Sequence, residues 1–462
     1  MSKKIAVGCT ACVLLLILSP SGPAQDRTTT LTRAEITQAI DKVCQLLNRF
    51  YVLPEVATRM ERHIRGRLEA GAFDQTTEAD EFMEAMTREL RSVCRDKHLA
   101  MFRGANPDEQ RAEDRDLKRL MERFEGRKDH FGLDRVEILA GNVGYMSVRS
   151  VMYSPEATEA VSAALKFLEN TDALVFDLRE NRGGDPAYMA YVFSYFFDKP
   201  THINSIYWRD RDRTDEFWTK ATVPGKKMLD VPLYVLISGR TFSGAEEFAY
   251  DLQALKRGVV VGETSAGAAN PASSWVVYKD IRIGIPLGRA INPTTGTNWE
   301  GVGVKPDIEA PADKALEAAM AIAGPAAEER RARMRADLAA AYGEFQGDLK
   351  RAEALFQQKK AEEAEALVLS SLNKAIERDV LDQSSINRKG YEFLRGGARS
   401  MAIALFKGNV QAYPGSANVH DSLGEAYLEN GEIQRAIESY RRALEIDPTL
   451  ASAIKALEKI KL

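Results

Sequence analysis

Apolar side chains recur every three to four positions in the first segment after residue 30, a spacing typical of an amphipathic helix. Thr32 stands where it would cap the start of that helix, and Pro54 is placed to begin a second one. A third helix is predicted from its N-cap Asp80 to Val93. We therefore expect residues 25–103 to form a helical N-terminal unit.

Farther along the chain, short runs of β-branched and aliphatic residues alternate with segments long enough to be helices. This alternation is typical of an α/β domain whose sheet is largely buried, and we expect that domain over residues 104–312. The predicted strands cover residues 143–148, 173–178, 233–238 and 259–262, and the predicted helices cover 155–169, 186–197 and 244–256.

The C-terminal part of the chain contains an internal repeat with a period of 34 residues. Residues 313–376 are predicted to form a helical linker, which is rich in Ala, Glu and Arg over 313–345. Residues 349–376 are open to a second interpretation as a degenerate earlier repeat unit, and residues 377–462 carry the repeat. The period, the small residues and the terminal prolines match the tetratricopeptide pattern, which predicts helix pairs and a concave groove for a protein partner. The matching pairs are Gly390/Gly424, Phe393/Tyr427, Gly397/Gly431, Ala402/Ala436, Ile403/Ile437, Phe406/Tyr440 and Pro414/Pro448.

Charge and composition exclude several kinds of partner. The formal net charge of the 462 residues is −4, so neither nucleic acid nor an anionic membrane surface is an expected partner. The sequence shows no Cys or His cluster with metal-ligand spacing, so we expect no metal and no cofactor.

The first 24 residues have the three parts of a secretory signal peptide. Lys3 and Lys4 precede an apolar run, and helix-breaking and small residues follow as far as Ala24. Cleavage after Ala24 would export the protein to the periplasm or the extracellular space, with no membrane span remaining; an uncleaved anchor is the alternative. Cys44 and Cys94 would then meet an oxidising compartment, where a disulfide and two free thiols are both open to them.

Ser243 is the first candidate for chemistry. It follows a predicted strand and stands at the start of a predicted helix, where free backbone N–H groups and the helix dipole favour negative charge. An oxyanion formed on Ser243 would lie beside the Gly244 N–H. The alternative is that Ser243 only caps the helix, with Glu246 as the other half of a capping box.

Three further candidates lie far from Ser243 in the sequence. Gly183 and Gly184 follow the end of a predicted strand, where they could offer a second oxyanion N–H or form an ordinary turn. His98 lies where a helix gives way to an alternating segment, as a cleft residue or a surface histidine. Glu300 lies in an ordered glycine-rich loop, where it could orient an imidazole or serve loop structure alone.

Five motifs together resemble the tail-specific, or C-terminal-processing, peptidase family, in particular its branch with the tricorn core protease and the interphotoreceptor retinoid-binding protein modules. The resemblance covers roughly residues 31–312. The motifs are Asp-Lys-His at 96–98, Asp-Leu-Arg-x-Asn-x-Gly-Gly at 177–184, Thr-Phe-Ser-x-Ala-Glu-Glu-Phe at 241–248, Gly-Glu-Thr at 262–264 and Glu-Gly-x-Gly-Val-x-Pro-Asp at 300–307.

The resemblance implies a crotonase-like α/β fold and Ser243 as nucleophile, with Gly244 and Gly183 or Gly184 as oxyanion donors. One base system of the family uses a lysine just after the Gly-Glu-Thr strand, and residues 265–270 contain no lysine. The other, tricorn-like system uses a histidine and a distant glutamate, which His98 and Glu300 match. The expected activity is that of a serine endopeptidase on peptide or protein substrates.

Two departures from the family leave alternatives open. Lys97 stands where the tricorn-type relay has a serine, and the stretch from His98 to Gly144 is too short for the PDZ-type domain common in the family. A non-catalytic module that binds apolar ligands or peptides, and an adaptor whose repeats do the main work, are the competing functions.

Overall fold

The computed structural model describes residues 30–76, 78–104 and 115–460. The chain divides into two compact units, one up to Arg330 and one from Arg331 onward. The predicted signal peptide, residues 1–24, lies outside the described residues, and the predicted domain boundaries stay predictions. In the first unit the helices are Arg33–Phe50, Pro54–Glu69, Ala79–Cys94, Arg115–Lys128, Pro155–Leu168, Pro186–Phe193 and Gly244–Ala254; the helix Ala315–Gln357 contains the boundary between the units.

Twelve strands are described in the first unit. They are β1 (Ala100–Arg103), β2 (Leu133–Leu139), β3 (Val143–Val148), β4 (Ala173–Asp177), β5 (His202–Trp208), β6 (Arg213–Trp218), β7 (Leu233–Ile237), β8 (Gly258–Gly262), β9 (Ala272–Tyr278), β10 (Ile281–Pro286), β11 (Gly288–Ile291) and β12 (Ile308–Glu309).

The N-terminal helices form where the apolar spacing predicts them. Thr32 and Glu35 form a reciprocal capping box at the first helix start, which satisfies two backbone donors that no helical bond can reach. The predicted N-cap Asp80 is wrong, because the third helix begins at Ala79 with Glu78 at the cap. Asp80 instead pairs with Arg103 of β1 at 2.7 Å.

A six-stranded sheet with the order β12-β8-β7-β4-β3-β2 forms the centre of the α/β domain. All neighbouring pairs are parallel except β2 with β3. Every residue of β4 and β7 is buried, as expected for parallel strands covered by helices on both faces. The carboxyl ends of β4 and β7 lie side by side and lead to the Gly183–Gly184 turn and to Ser243.

Two smaller antiparallel sheets, β1-β10-β9 and β11-β5-β6, were not predicted from the sequence. The first packs on the N-terminal helices through a shared core that includes Leu47, Phe82, Leu99 and Ile283. Since β1 begins at Ala100, this sheet fixes the segment that carries His98. Because β11 ends at Ile291, the second sheet leads into the loop that carries Glu300.

The second unit is helical throughout its described residues. Gly390 and Gly424, one period apart, each pack directly against an aromatic ring of the neighbouring helix. A β-carbon on Gly424 would lie 2.9 Å from Tyr440, and a β-carbon on Gly390 would lie 2.5 Å from Phe406. The fold class is confirmed: an α/β domain with a helical N-terminal unit and an all-helical C-terminal segment. The remaining helices are Ala361–Glu377, Gln383–Arg395, Arg399–Ala412, Ala417–Glu429, Ile433–Ile446 and Ala451–Ile460.

Within the described ranges, none of the helices has the length and apolar character needed to span a bilayer. Cys44 and Cys94 are both free thiols, the first buried and the second partly exposed.

Candidate active site

Ser243 occupies a sharp turn between strand and helix. β7 ends at Ile237, the helix begins at Gly244, and Ser243 between them has φ +53° and ψ −123°. A residue with a β-carbon rarely adopts this conformation, and strain of this kind persists only where the surroundings hold it. A turn of this type aims a serine hydroxyl outward at the top of an α/β sheet.

Glu246 holds this turn. Its carboxylate accepts hydrogen bonds from the Ser243 backbone nitrogen at 2.8 Å, the Ser265 hydroxyl at 2.5 Å, and the backbone nitrogens of Gly267 and Ala268 at 2.6 and 2.9 Å. The side chain is fully buried. Burial raises the pKa of Glu246, and the hydrogen bonds from these donors oppose that rise.

Two glycines bring free backbone donors to the turn. The Gly183 N–H donates to Asn181 Oδ1 at 2.8 Å, whereas the N–H groups of Gly184 and Gly244 have no acceptor among the described residues. A β-carbon on Gly244 would lie 3.1 Å from the Gly184 nitrogen, so these two donors are close neighbours. Gly184 has φ +145°, and a side chain on it would overlap the carbonyl oxygen of Val151, so only glycine fits.

His98 lies against the residue that precedes the serine. Its ring meets the Phe242 ring edge-on, with 4.7 Å between the centroids, and only 6% of the residue is exposed. The His98 Nδ1 atom is buried without a hydrogen-bond partner in the described part of the chain. Burial, and secondarily the Arg91 charge, lowers the pKa of His98 to about 4. His98 is therefore a neutral imidazole near pH 7.

Glu300 lies beside His98. The Glu300 Oε2 atom accepts hydrogen bonds from the backbone nitrogens of Ala269 and Asn270 at 2.7 and 3.0 Å, and Oε1 is buried without a partner among the residues described. Ligand-type atoms of Asp96, His98 and Glu300 all lie within 4.8 Å of one another. Burial, followed by the charge of Asp96, raises the pKa of Glu300 to about 8.

Comparison with known families agrees with this geometry. Residues 142–310 match the model of peptidase family S41. This chain contains an S41 peptidase domain. Residues 27–127 match the N-terminal domain of the S41 peptidase in eukaryotic IRBP, and residues 422–450 match a tetratricopeptide repeat.

Curated relatives of the S41 domain include processing proteases from bacteria and chloroplasts. A carboxy-terminal-processing protease of Bartonella bacilliformis is 29% identical over 183 residues, which cover 36% of this chain and 38% of the relative. The chloroplastic carboxyl-terminal-processing peptidase 2 of Arabidopsis thaliana is 28% identical over 172 residues, or 37% and 32% of the two chains. The matches thus span under two fifths of the length of these relatives.

Solved structures with a similar fold include two proteases. The photosystem II D1 C-terminal processing protease is 14% identical with a TM-score of 0.40, and the match covers 64% of this chain and 98% of that chain. The tricorn protease is 12% identical with a TM-score of 0.43, covering 65% and 37% respectively.

The fold brings together the residues that the motifs predict, from both the S41 domain and the N-terminal domain. Ser243, Gly244, Glu246, Gly183 and Gly184 meet at one turn, while His98 and Glu300 meet in the adjoining cluster. No hydrogen bond joins His98 to Ser243 among the contacts of the described residues. Contact instead runs through Phe242.

Two parts of the site were missed by sequence reasoning. Asp96 belongs to the cluster, and the Asp-x-His spacing at 96–98 was the available signal. The loop 265–270, noted only for lacking a lysine, supplies backbone donors to both Glu246 and Glu300. Lys97 is exposed, and its carbonyl oxygen accepts a hydrogen bond from Arg91 at 2.6 Å.

The cluster also bears on the expectation that no metal binds. One imidazole and two carboxylates are donor types that divalent transition metals accept, and Glu300 lies too far from Asp96 and His98 in the sequence for spacing to show the cluster. The absence of a metal stays a prediction.

Proposed function

We propose that the protein is a serine-type endopeptidase in which Ser243 is the nucleophile, His98 the general base and Glu300 the residue that orients His98. The observation that carries the proposal is the strained Ser243 turn beside a buried, neutral imidazole with an unpartnered Nδ1. A base must be uncharged to accept a proton, and the lowered pKa of His98 keeps it so.

In the proposed reaction, the Ser243 oxygen attacks the substrate carbonyl carbon as His98 takes the hydroxyl proton. The tetrahedral intermediate collapses when the carbon–nitrogen bond breaks, and His98 returns that proton to the departing amine. Water then attacks the acyl-enzyme, again with His98 as base, and releases the acid and free Ser243. Glu300 would accept a hydrogen bond from the His98 Nδ1–H and stabilise the imidazolium.

Gly184 and Gly244 are the proposed oxyanion donors. Their N–H groups are free and close together, whereas the Gly183 N–H already donates to Asn181. Gly183 would therefore serve by its lack of a side chain, since a β-carbon there would lie 2.7 Å from the Gly244 nitrogen. Each such donor contributes about 2.7–4 kcal/mol in other serine proteases.

A fluorophosphonate probe tests the proposal, because it reacts with an activated serine without needing a known substrate. We expect the probe to label wild type and to leave Ser243→Ala unlabelled. Ser154→Ala is the matched control. The Ser154 hydroxyl caps the helix Pro155–Leu168 by accepting a hydrogen bond from the Ala157 nitrogen, so this substitution removes a capping hydroxyl outside the candidate site. If Ser154→Ala is labelled like wild type and only Ser243→Ala loses labelling, Ser243 acts as a nucleophile and not merely as a helix cap.

The substrate, partners and location are parts of the same proposal. Peptides or proteins would be cleaved, and the tetratricopeptide-like repeats would bind a protein partner. Export to a periplasmic or extracellular space rests on the predicted signal peptide, and the relatives from a bacterium and from chloroplasts support it. A mature N-terminus at Gln25 in mass spectrometry of the protein recovered outside the cytoplasm is the expected result; an intact Met1 would contradict export with cleavage.

A second candidate is a non-catalytic module that binds apolar ligands or peptides. The observation that favours it is the missing hydrogen bond between His98 and Ser243, together with the match to the IRBP N-terminal domain. Wild type that resists the probe, and binds a fluorescent fatty acid or retinoid with saturation, would support this candidate against the peptidase.

A further inference from the structure

Asp96 lies at the centre of the cluster and takes part in no step of the proposed mechanism. It is 1% exposed. Its Oδ1 atom accepts a hydrogen bond from the His98 backbone nitrogen at 3.1 Å, and its Oδ2 atom accepts from Asn270 Nδ2 at 3.1 Å and from the Tyr51 hydroxyl at 3.4 Å. Three hydrogen bonds donated to a carboxylate favour its anion and oppose the effect of burial.

The hydrogen bonds connect Asp96 both to the proposed base and, through Asn270, to its proposed partner. Asn270 donates its side-chain N–H to Asp96 and its backbone N–H to Glu300, so one residue connects the two carboxyls. His98 is tied to Asp96 by its main chain, and its side chain lies within the same 4.8 Å group of atoms.

We propose that Asp96 is a positioning residue of this site, which fixes the His98 segment and supplies the negative charge that stabilises the His98 imidazolium. This inference rests on the proposed peptidase function. The tricorn-like system of histidine and glutamate does not include the Asp96 charge, because in that system Glu300 is the residue that stabilises the imidazolium.

Two carboxyls this close in a buried site do not ionise together easily, because each negative charge opposes the other. Asp96 is held by three donors. Glu300 accepts hydrogen bonds from two donors, both at Oε2, and its Oε1 atom has no partner among the described residues, which is consistent with a proton on Oε1. The ionisable groups that face the pair are Tyr51, Arg91, Cys94, His98 and Glu246. Arg91 is the one cation in that set, and it favours the anion on Asp96.

The pKa shifts of the two carboxyls agree with Asp96 as the first to lose its proton and Glu300 as the second. Burial raises the pKa of Asp96 to about 6, against the opposing hydrogen bonds, and the pKa of Glu300 is raised further, to about 8. Between these values Asp96 is the ionised member. The labelling rate of wild type should then rise in two steps, as Asp96 and later Glu300 lose their protons.

The test compares the pH dependence of fluorophosphonate labelling in wild type and Asp96→Asn, a variant of the same shape without the charge. Removing the charge lowers the pKa of Glu300, so the upper midpoint should move down by roughly one pH unit or more. The plateau rate above pH 9 should fall by roughly 10-fold or more, as for the loss of an orienting partner.

Tyr51→Phe is the matched control, because it removes a donor to Asp96 and keeps the charge. Its upper midpoint should stay at the wild-type value. A uniform loss of rate in Asp96→Asn with an unmoved midpoint would mean that Asp96 only shapes the loop, and would overturn the inference while leaving the peptidase standing. Wild type that is not labelled at any pH overturns both.

A second variant covers the case in which Asp96→Asn does not fold, which circular dichroism and thermal unfolding would show. Glu300→Gln leaves Asp96 as the cluster's only carboxyl, and labelling of this variant should then rise through about pH 6. A labelling rate that stays level from pH 5 to pH 8 in Glu300→Gln would contradict a charge role for Asp96.

Discussion

The carboxylate of Glu246 accepts a hydrogen bond from the backbone nitrogen of Ser243 at 2.8 Å, so the second residue shapes the strained turn around the first. Glu246→Ala would leave four buried donors without an acceptor. At about 1–3 kcal/mol for each buried donor left unpaired, we expect the free energy of unfolding to drop by roughly 3 kcal/mol or more. Urea unfolding monitored by circular dichroism measures the drop.

Glu263→Ala is the matched control for that prediction. Glu263 also accepts hydrogen bonds from two backbone nitrogens, those of Gly239 and Ala312, but it is exposed. Water replaces lost contacts at an exposed site, so this change should alter the free energy of unfolding by less than about 1 kcal/mol. Equal losses in the two variants would refute the view that Glu246 is special.

If His98 is the base, as proposed, His98→Ala should reduce the rate of fluorophosphonate labelling by roughly 100-fold or more, because nothing then takes the proton of the Ser243 hydroxyl. The matched control is His63→Ala, since His63 lies on a helix surface paired with Glu89 at 2.7 Å. It should be labelled at the wild-type rate. Wild-type labelling of His98→Ala would remove His98 from the mechanism.

Glu247 gives a prediction for stability as a function of pH. It lies next to Glu246 on the same helix, buried, with Oε1 unpartnered within the described residues. Burial, reinforced by Asp185, raises its pKa to about 8. A carboxyl with a raised pKa in the folded state stabilises the fold below its unfolded pKa, and that stability is lost as pH rises towards 8.

Glu247→Gln cannot ionise and should therefore gain stability relative to wild type between pH 5 and pH 9. The gain has an upper limit of roughly 4 kcal/mol, from about 1.4 kcal/mol for each unit of pKa shift. Melting temperatures at the two pH values measure it. Glu159→Gln, at an exposed position, should show no such dependence, and a matching trend there would assign the effect to other groups.

Replacing two helical glycines with alanine should change the stability of the protein in opposite directions. Gly390 faces the fully buried Phe406 ring, which a methyl group would displace, so Gly390→Ala should destabilise the protein by about 1–3 kcal/mol. Gly347 lies in the helix Ala315–Gln357 with nothing within 4 Å of an added β-carbon. Gly347→Ala should therefore stabilise by about 0.5–1 kcal/mol. Melting temperatures that move in the same direction for both would contradict this account of the glycines.

The elements with strong local signals were predictable from the sequence. β3 matches its predicted bounds, and β4, β7, β8 and the intervening helices are placed to within a few residues, because continuous apolar runs and helical spacing are local properties. The antiparallel strands around residues 202–218 and 272–291 were missed. β10 pairs with β1 and β11 with β5 across long stretches of sequence, and such pairing partners cannot be read from a local pattern.

The site shows the same division between local and distant information. Ser243 was a candidate from its place between strand and helix. His98 and Glu300 were separate candidates from local sequence, and only the family resemblance paired them, because 202 positions separate them in sequence. Asp96 and the loop 265–270 act through hydrogen bonds whose partners only the folded chain reveals. A hydrogen bond donated by a main-chain nitrogen does not depend on the side chain of that residue, so the sequence does not reveal it.

That last property gives the loop 265–270 a consequence for how such proteins diverge. Four of its main-chain nitrogens donate hydrogen bonds to two acids of the candidate site, Glu246 and Glu300. An amide hydrogen is present in every amino acid but proline, so these hydrogen bonds need no particular side chain, and the burial of Ala268 and Ala269 requires only that the side chain be small. A search that looks for a fixed string of letters at this place would pass over chains that hold two buried carboxyls with the same main-chain donors.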